Sequence, residues 1–451
     1  MRRMTHISDP LNAHRGLSVM TALGMATAIA GVCCVDTAPT RPSDGGSVED
    51  VGLGTDSSVD RDAGAPGDAA VGSDAGVAFL PWEGGPGYYA QWSHGPSADP
   101  STFPIAVWLQ SESNAAAYRA IGINLFVGLW EGPTDAQLSS VQAAGLQTVC
   151  DQNAVGLTHA SESTIIAWQQ QDEPDNAQPD GNGGYGPCIP ASEIQTRADA
   201  MRAADATRPV YLNLGQGVAN DDWVGRGSAC AGTSDYPDYA RTADILSFDI
   251  YPTNETTASV RGNLWYVALG VDRLRMWSDY AKPVWTWIET TRISATGARP
   301  TPEHVRAEVW MALVHGARGI GYFVHEFDPF VEAGLLADAE MSAAVGSLNA
   351  RIQSLAPVLN TPSLATAVDV GSSDPAVPVD VMVKQLAGTT YLFAVSMRDA
   401  PTTATFTLRV PDAATLQNAT VLDEARTVPV TGGIFTDAFT GYGVHLYQIA
   451  R

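Results

Sequence analysis

The chain has 451 residues, 45% of them hydrophobic, with 49 acidic against 25 basic side chains and a formal charge of −24. That size and apolar content suit one large domain with a smaller one beside it. The negative balance excludes nucleic acid and anionic membrane surfaces as partners, because both demand a positive face.

Residues 1–16 carry Arg2, Arg3 and Arg15, and residues 17–32 form an apolar run of small and aliphatic side chains. This is the pattern of a signal peptide, too short and too rich in Ala and Gly for a membrane-spanning helix. Ala30-Gly31-Val32-Cys33 resembles a bacterial lipoprotein box, with Val32 where a small residue is usual. Residues 1–34 are therefore a leader for an exported protein, either secreted or held at the cell surface or periplasm by a lipid on Cys33 or Cys34. A membrane enters only through that anchor. Residues 35–78 are dominated by Asp, Gly, Ala, Ser, Val and Pro, with no aromatic residue before position 79 in this stretch. Such a segment cannot bury enough surface to offset its chain entropy and reads as an acidic tether.

The five cysteines, Cys33, Cys34, Cys150, Cys188 and Cys230, show no zinc-site spacing. Cys188 and Cys230, both in Gly/Pro/Ser-rich loops, form a candidate disulfide in an oxidising compartment. Cys150, within apolar LQTVC, reads as a buried free thiol.

From residue 103 a unit recurs: an apolar strand, a polar loop, an amphipathic helix and a Gly turn. Strands are expected at 103–109, 123–130, 146–150, 165–173, 209–214, 243–251, 283–289 and 320–327. Helices are expected at 113–121, at 135–144 behind a Thr134/Gln137 capping box, at 192–204, at 264–280, from Thr301 with Pro302 in its first turn, and through Met341, Val345, Leu348, Ile352 and Leu355. Eight strand-helix units in residues 79–360 match an α/β fold of the (β/α)8 TIM-barrel type. Beyond residue 360 the pattern changes to period two: Val379, Val381 and Val383, then Tyr391, Phe393 and Val395, then Phe406, Leu408 and Val410. Residues 361–451 are thus expected to form a small all-β sandwich.

In such a barrel chemistry sits at the C-terminal ends of the strands. Strand four reads IIAWQQQDEPD and delivers Asp172 and Glu173 before Pro174, which stops the ladder. Strand six ends in Asp249 and Tyr251, strand seven in Glu289, strand eight in His325 and Glu326. Strand seven, VWTWIE, alternates so that Trp285, Trp287 and Glu289 share one face.

WQQQDEPD and VWTWIET together resemble the glycoside hydrolases of clan A, over roughly residues 79–360. The trailing GYGVHLYQIA is similar to the accessory β-domain of several families in that clan. The resemblance implies a retaining glycosidase, with Glu173 as acid/base and Glu289 as nucleophile. It calls for no cofactor or metal. Asp172 replaces the asparagine that usually binds the sugar 2-hydroxyl, and so adds a negative charge next to the acid. Retention needs one protonated and one ionised carboxyl about 5 to 5.5 Å apart. The charges of Asp172 and of the nucleophile would keep the proton on Glu173, and groups such as Tyr251 would hold the nucleophile ionised. Asp172 and Tyr251 are expected to line the site, and Asp249 either lines it or braces a loop. His325 and Glu326 either touch substrate or pair structurally. Trp108, Trp130, Trp285 and Trp287 are candidates to stack on sugar rings. The expected partner is a carbohydrate, a polysaccharide or glycoconjugate with β-linkages. Two other readings compete: a metal-assisted hydrolase or phosphodiesterase using Asp172, Glu173, Asp249 and Glu289 as ligands, and a non-catalytic surface carbohydrate-binding protein.

Overall fold

The computed structural model describes residues 85–178, 180, 184–223 and 235–450. The leader with Cys33 and Cys34, the acidic tether and Cys230 lie outside the described residues. Eight parallel strands close a barrel in chain order: β1 (Ile105–Trp108), β2 (Leu125–Val127), β3 (Gln147–Asp151), β4 (Ile165–Gln169), β5 (Val210–Leu214), β6 (Ile245–Asp249), β7 (Val284–Glu289) and β8 (Gly319–Phe323). Pairing of β1 with β8 completes the ring. The helices α1 (Ala115–Ala120), α2 (Asp135–Ala143), α3 (Ala154–Thr158), α4 (Ala191–Ala204), α5 (Tyr236–Thr242), α6 (Tyr266–Trp277), α7 (Pro302–Val314) and α8 (Ala339–Leu359) follow the strands one by one. No helix among the described residues is long and apolar enough to cross a membrane.

Local chemistry explains most of these boundaries. The Thr134 hydroxyl accepts from the Gln137 amide and the Gln137 side chain accepts from the Thr134 amide, so the expected capping box starts α2. Thr301 caps α7 with Pro302 in its first turn. The five-residue α3, capped by the Asn153 side chain on the Gly156 amide, is too short to leave a periodic trace in the sequence. Strand eight stops at Phe323, four residues before its expected end. Glu326–Phe327 (β9) instead pairs antiparallel with Phe330–Val331 (β10) in a hairpin above the barrel mouth.

The barrel interior is filled by Trp285 and Trp287, and β8 makes room for them. A Cβ at Gly321 would lie 2.3 Å from the Trp287 ring, and one at Gly319 would lie 2.6 Å from Trp285. Larger residues there would overpack a closed interior, at roughly 1–3 kcal/mol or more. Outside the ring, strands and helices share one apolar core, with Cys150 a buried free thiol within it.

Past α8 the chain forms two antiparallel sheets. Val368–Ser372 (β11), Thr402–Leu408 (β14) and Ile434–Phe439 (β17) make one. The other contains Val379–Leu386 (β12), Thr389–Ser396 (β13), Asn418–Val421 (β15), Arg426–Pro429 (β16) and Val444–Ile449 (β18). Along β14 buried and outward residues alternate, as the period-two pattern requires. Their facing sides enclose a second core around Phe406, Phe435 and Tyr447. Phe393 of β13 stacks on Trp310 of α7 with ring centroids 5.3 Å apart, fastening this domain to the barrel. His315, just past α7, bridges Asp272 of α6 at 2.8 Å and Asp380 of β12 at 3.1 Å.

Candidate active site

A cleft of about 400 Å³ opens at the C-terminal ends of the strands. Asp172, Glu173, Asp249, Tyr251, Trp108, Trp130 and Trp287 line it, together with Gln169, Gln170 and Asn213. Three non-glycine residues at the rim of β1, β2 and β4 take left-handed backbone conformations: Leu109 (φ 42°), Glu131 (φ 52°) and Glu173 (φ 42°). Such a conformation costs on the order of 1–3 kcal/mol and needs surrounding bonds to maintain it. At Glu173 those bonds are present. Its amide donates to the Asn213 carbonyl at 3.1 Å, and its own carbonyl accepts from the Asn176 amide at 3.0 Å and the Gln178 side chain at 2.9 Å. The result aims a carboxyl, only 4% exposed, into the cleft.

Asp249 hydrogen bonds to Glu173. Burial, then the charges of Glu173 and Asp172, hold the Asp249 carboxyl well above the usual carboxylate range. Two carboxyls in hydrogen-bond contact share one proton between them. Asn213 ties the third carboxyl in, since its side-chain amide donates to Asp172 at 3.0 Å and to Asp249 at 3.1 Å. Its orientation is set from behind: Ser247 donates to the Asn213 carbonyl oxygen at 2.6 Å, Tyr211 meets Ser247, and Trp287 donates to Tyr211 at 3.1 Å. Asp175, below Glu173, accepts from the Gly215 amide and the Tyr236 hydroxyl. Burial and then the Glu173 charge push Asp175 up to about 7.

Glu289 lies elsewhere. It is 0% exposed and is not among the residues lining the cleft. Its carboxylate accepts from the amides of Thr253 and Asn254 and from the Asn254 side chain. Burial raises its pKa, and these donors pull it back. Behind it stands Glu308 of α7, neither of whose carboxyl oxygens has a hydrogen-bond partner. Burial first, and the Glu289 charge second, hold Glu308 well above its ordinary range.

The remaining expected residues divide in the same way. Trp108 and Trp287 meet edge to face at 5.1 Å on the cleft wall, and Tyr251 lies tilted on Phe323 at 5.0 Å. Trp130 is fixed by donating to Glu332 at 2.7 Å. Trp285 sits deeper in the barrel and donates to the Tyr89 hydroxyl at 3.2 Å. His325 is buried beside Trp130, 3.0 Å from the Leu109 carbonyl, and burial pushes it down to about 4. Glu326 pairs with Arg299 at 2.6 Å. Sequence reasoning passed over Gln169, Gln170 and Asn213, although Asn213 stands out as a polar residue at the end of apolar VYLNL. Cys188 is disulfide-bonded. Among the described residues no group of three or more His, Cys, Asp or Glu is arranged to hold a metal ion.

No family model and no curated protein matches the chain. Solved structures similar to it include a GH30 endoxylanase from Clostridium papyrosolvens, at 12% identity over 83% of this chain and 98% of that one, with a TM-score of 0.45. An alpha-galactosidase I from Mortierella vinacea is similar at 9% identity over 79% of this chain and 98% of that one, TM-score 0.48. An alpha-amylase from Geobacillus thermoleovorans, complexed with acarbose, is similar at 9% identity over 78% and 99%, TM-score 0.46. Likeness at this level carries no weight for the reaction, and the barrel rests on its own strand pairing.

Proposed function

We propose that the protein is an exported glycoside hydrolase that cleaves β-glycosidic bonds of a polysaccharide or glycoconjugate with retention, using Glu173 first as acid and then as base. One observation carries this reading: the hydrogen-bonded Glu173–Asp249 pair, with Asp172 alongside, at the floor of an aromatic-walled cleft. A proton shared by that pair is placed to pass to a departing glycosidic oxygen. Trp108, Tyr251 and Trp287 offer apolar faces to the C–H side of a sugar ring. The side-chain carbonyl oxygen of Gln169, a residue 7% exposed, has no hydrogen-bond partner and suits a sugar hydroxyl as donor. Once the leaving group has gone, the ionised Glu173 takes a proton from the water that attacks C1. Glu289, which the resemblance to clan A would make the nucleophile, accepts from the Thr253 and Asn254 amides, donors that favour its ionised form.

The test follows the anomeric configuration of the first product by proton NMR on an activated aryl glycoside, alongside Glu173→Ala with and without azide. Retained configuration and azide-restored turnover are expected. An inverted product removes the double displacement, and turnover that azide does not restore removes Glu173 as acid/base.

A further inference from the structure

The charged side chains around the cleft are of one sign. Glu131 lies past β2, Asp151 ends β3, Asp172 and Glu173 follow β4, and Asp249 ends β6. Among the described residues that line the cleft none is Lys, Arg or His. The basic groups next to the lining do not offset this. Arg299 is taken up by Glu326 at 2.6 Å and Asp338 at 3.4 Å. His325, beside Trp130, is kept neutral by burial, which pushes it down to about 4. One proton shared by Glu173 and Asp249 leaves the other carboxyls to hold the cleft negative. Glu131 and Asp151 are exposed, and among the described residues no cation pairs with either.

A cleft walled by one sign of charge concentrates its field and repels ligands of that sign. Glycans bearing carboxylate, sulfate or phosphate groups would enter against it, and a neutral glycan gains nothing from it. A sugar ring that carries an ammonium group in place of a hydroxyl gains wherever that group meets a carboxylate, and the chain's formal charge of −24 attracts it from a distance. The other side of the cleft suits the body of such a ring. Trp287 on β7, Phe323 on β8 and Trp108 on β1 offer apolar surface to its C–H face. Gln169, at the end of β4, points independently to a donor-bearing ligand: it lines the cleft, is 7% exposed, and its side-chain oxygen has no partner. That oxygen accepts from a hydroxyl or an ammonium and has nothing to offer an anion. Among the described residues no three acidic, His or Cys side chains converge as the ligands of one metal ion would. The charge is spread along the cleft, as suits charges repeated along a polymer.

Resting on the glycosidase reading above, we infer that the substrate is a cationic glycan, a β-linked polymer of amino sugars whose amines are free, and that Glu131 and Asp151 select it by pairing with its ammonium groups. Asp151 ends the strand next to β4, and Glu131 lies one strand further round the ring. Both therefore face a ring of the polymer beside the bond being cleaved, and both act in binding.

The full chain is assayed with the chitosan hexamer, the chitin hexamer, cellohexaose and a β-linked mannuronate oligomer. Salt is varied from about 10 mM to about 1 M, over which the screening length falls from roughly 30 to 3 Å. The chitosan hexamer should show the highest kcat/KM at low salt, falling about tenfold or more as salt rises. Any cleavage of cellohexaose should not respond to salt, and the mannuronate should not be cleaved. Glu131→Gln and Asp151→Asn should each raise KM for the chitosan hexamer about two- to fivefold, the range for an exposed ion pair, with kcat little changed and the preference over cellohexaose narrowed. A loss shared equally by both hexamers would make these two residues structural and overturn their selecting role. Cleavage of cellohexaose or the chitin hexamer as efficient as that of the chitosan hexamer, or chitosan cleavage indifferent to salt, overturns the cationic substrate and leaves the glycosidase standing. No cleavage of any oligomer or of any aryl β-glycoside overturns both.

Discussion

Two sets of buried carboxyls, Glu173 with Asp249 and Glu289 with Glu308, have opposite fates in this barrel. Glu173 and Asp249 open onto the cleft, whereas Glu289 and Glu308 are fully buried and absent from its lining. Burial, and then the charge of a neighbouring carboxylate, raises the pKa of Asp249 in the first and of Glu308 in the second. What separates them is the donors around them. The Thr253 and Asn254 amides saturate Glu289 and turn it into an anchor for the loop after β6. Glu173 has its backbone pinned in a left-handed conformation, and its carboxyl is left facing the cleft. A carboxyl at a strand end is therefore no guarantee of chemistry; the loop that meets it decides.

The largest effect that tests this contrast is Glu173→Gln. Losing the proton donor should cost about 10³-fold in kcat/KM, within the range for general acid catalysis, with a melting temperature within a few degrees of the parent. If activity falls only severalfold, the cleft pair is not the proton source.

Glu289→Gln should do the reverse. The amide nitrogen of glutamine would face N–H donors, so the change should cost about 2–4 kcal/mol in denaturant unfolding, with kcat changed only a few-fold at a temperature where the variant is folded. A dead enzyme of unchanged stability would instead make Glu289 the nucleophile and erase the contrast.

Much of this was readable in the sequence. The alternation in VWTWIE puts Trp285 and Trp287 inside the barrel, and the IIAWQQQDEPD strand puts Asp172 and Glu173 at its mouth. The same alternation gives no sign of the partners Glu289 takes, because amides donated from the loop 253–254, thirty-five positions away, cover its carboxylate, and periodicity says nothing of how a loop folds. Asp249, weighed as a possible loop brace, lines the cleft because Asn213 on the adjacent strand holds it there. His325 and Glu326 leave the cleft because β8 ends at Phe323 and the chain turns into the β9–β10 hairpin.

A third measurement sharpens the comparison through pH. Asp249→Asn removes the carboxyl that shares a proton with Glu173, so the alkaline limb of the kcat/KM profile should move to lower pH. Glu308→Gln should leave that limb in place and act on stability alone. Its raised folded pKa means that stability is fully present below about pH 4.5 and is lost as pH rises through the folded value. Glutamine mimics the protonated acid, so the variant should lose that pH dependence. A shifted activity profile in Glu308→Gln would join the two pairs into one titrating unit.

The smallest effect concerns an ion pair that is neither catalytic nor sealed. His315 joins α6 to β12 between Asp272 and Asp380. Burial alone would lower its pKa, but the two carboxylates outweigh it and raise the imidazolium to about 9. A histidine raised in the folded state contributes stability that is fully present below its unfolded value of about 6.5 and is lost as pH climbs through about 9. Both aspartates are partly exposed, at 48% and 39%, so screening reduces the contribution to about 1–2 kcal/mol. His315→Gln should therefore lower the melting temperature at pH 6 and leave it unchanged near pH 10, with kcat intact throughout. The two carboxyl pairs at the barrel mouth lose a proton as pH rises and gain a charge they must bury, whereas His315 loses a charge that two carboxylates were holding. An equal loss of stability at pH 6 and pH 10 would mean that the side chain acts by packing between α6 and β12, and that charge does not fasten the β-domain to the barrel.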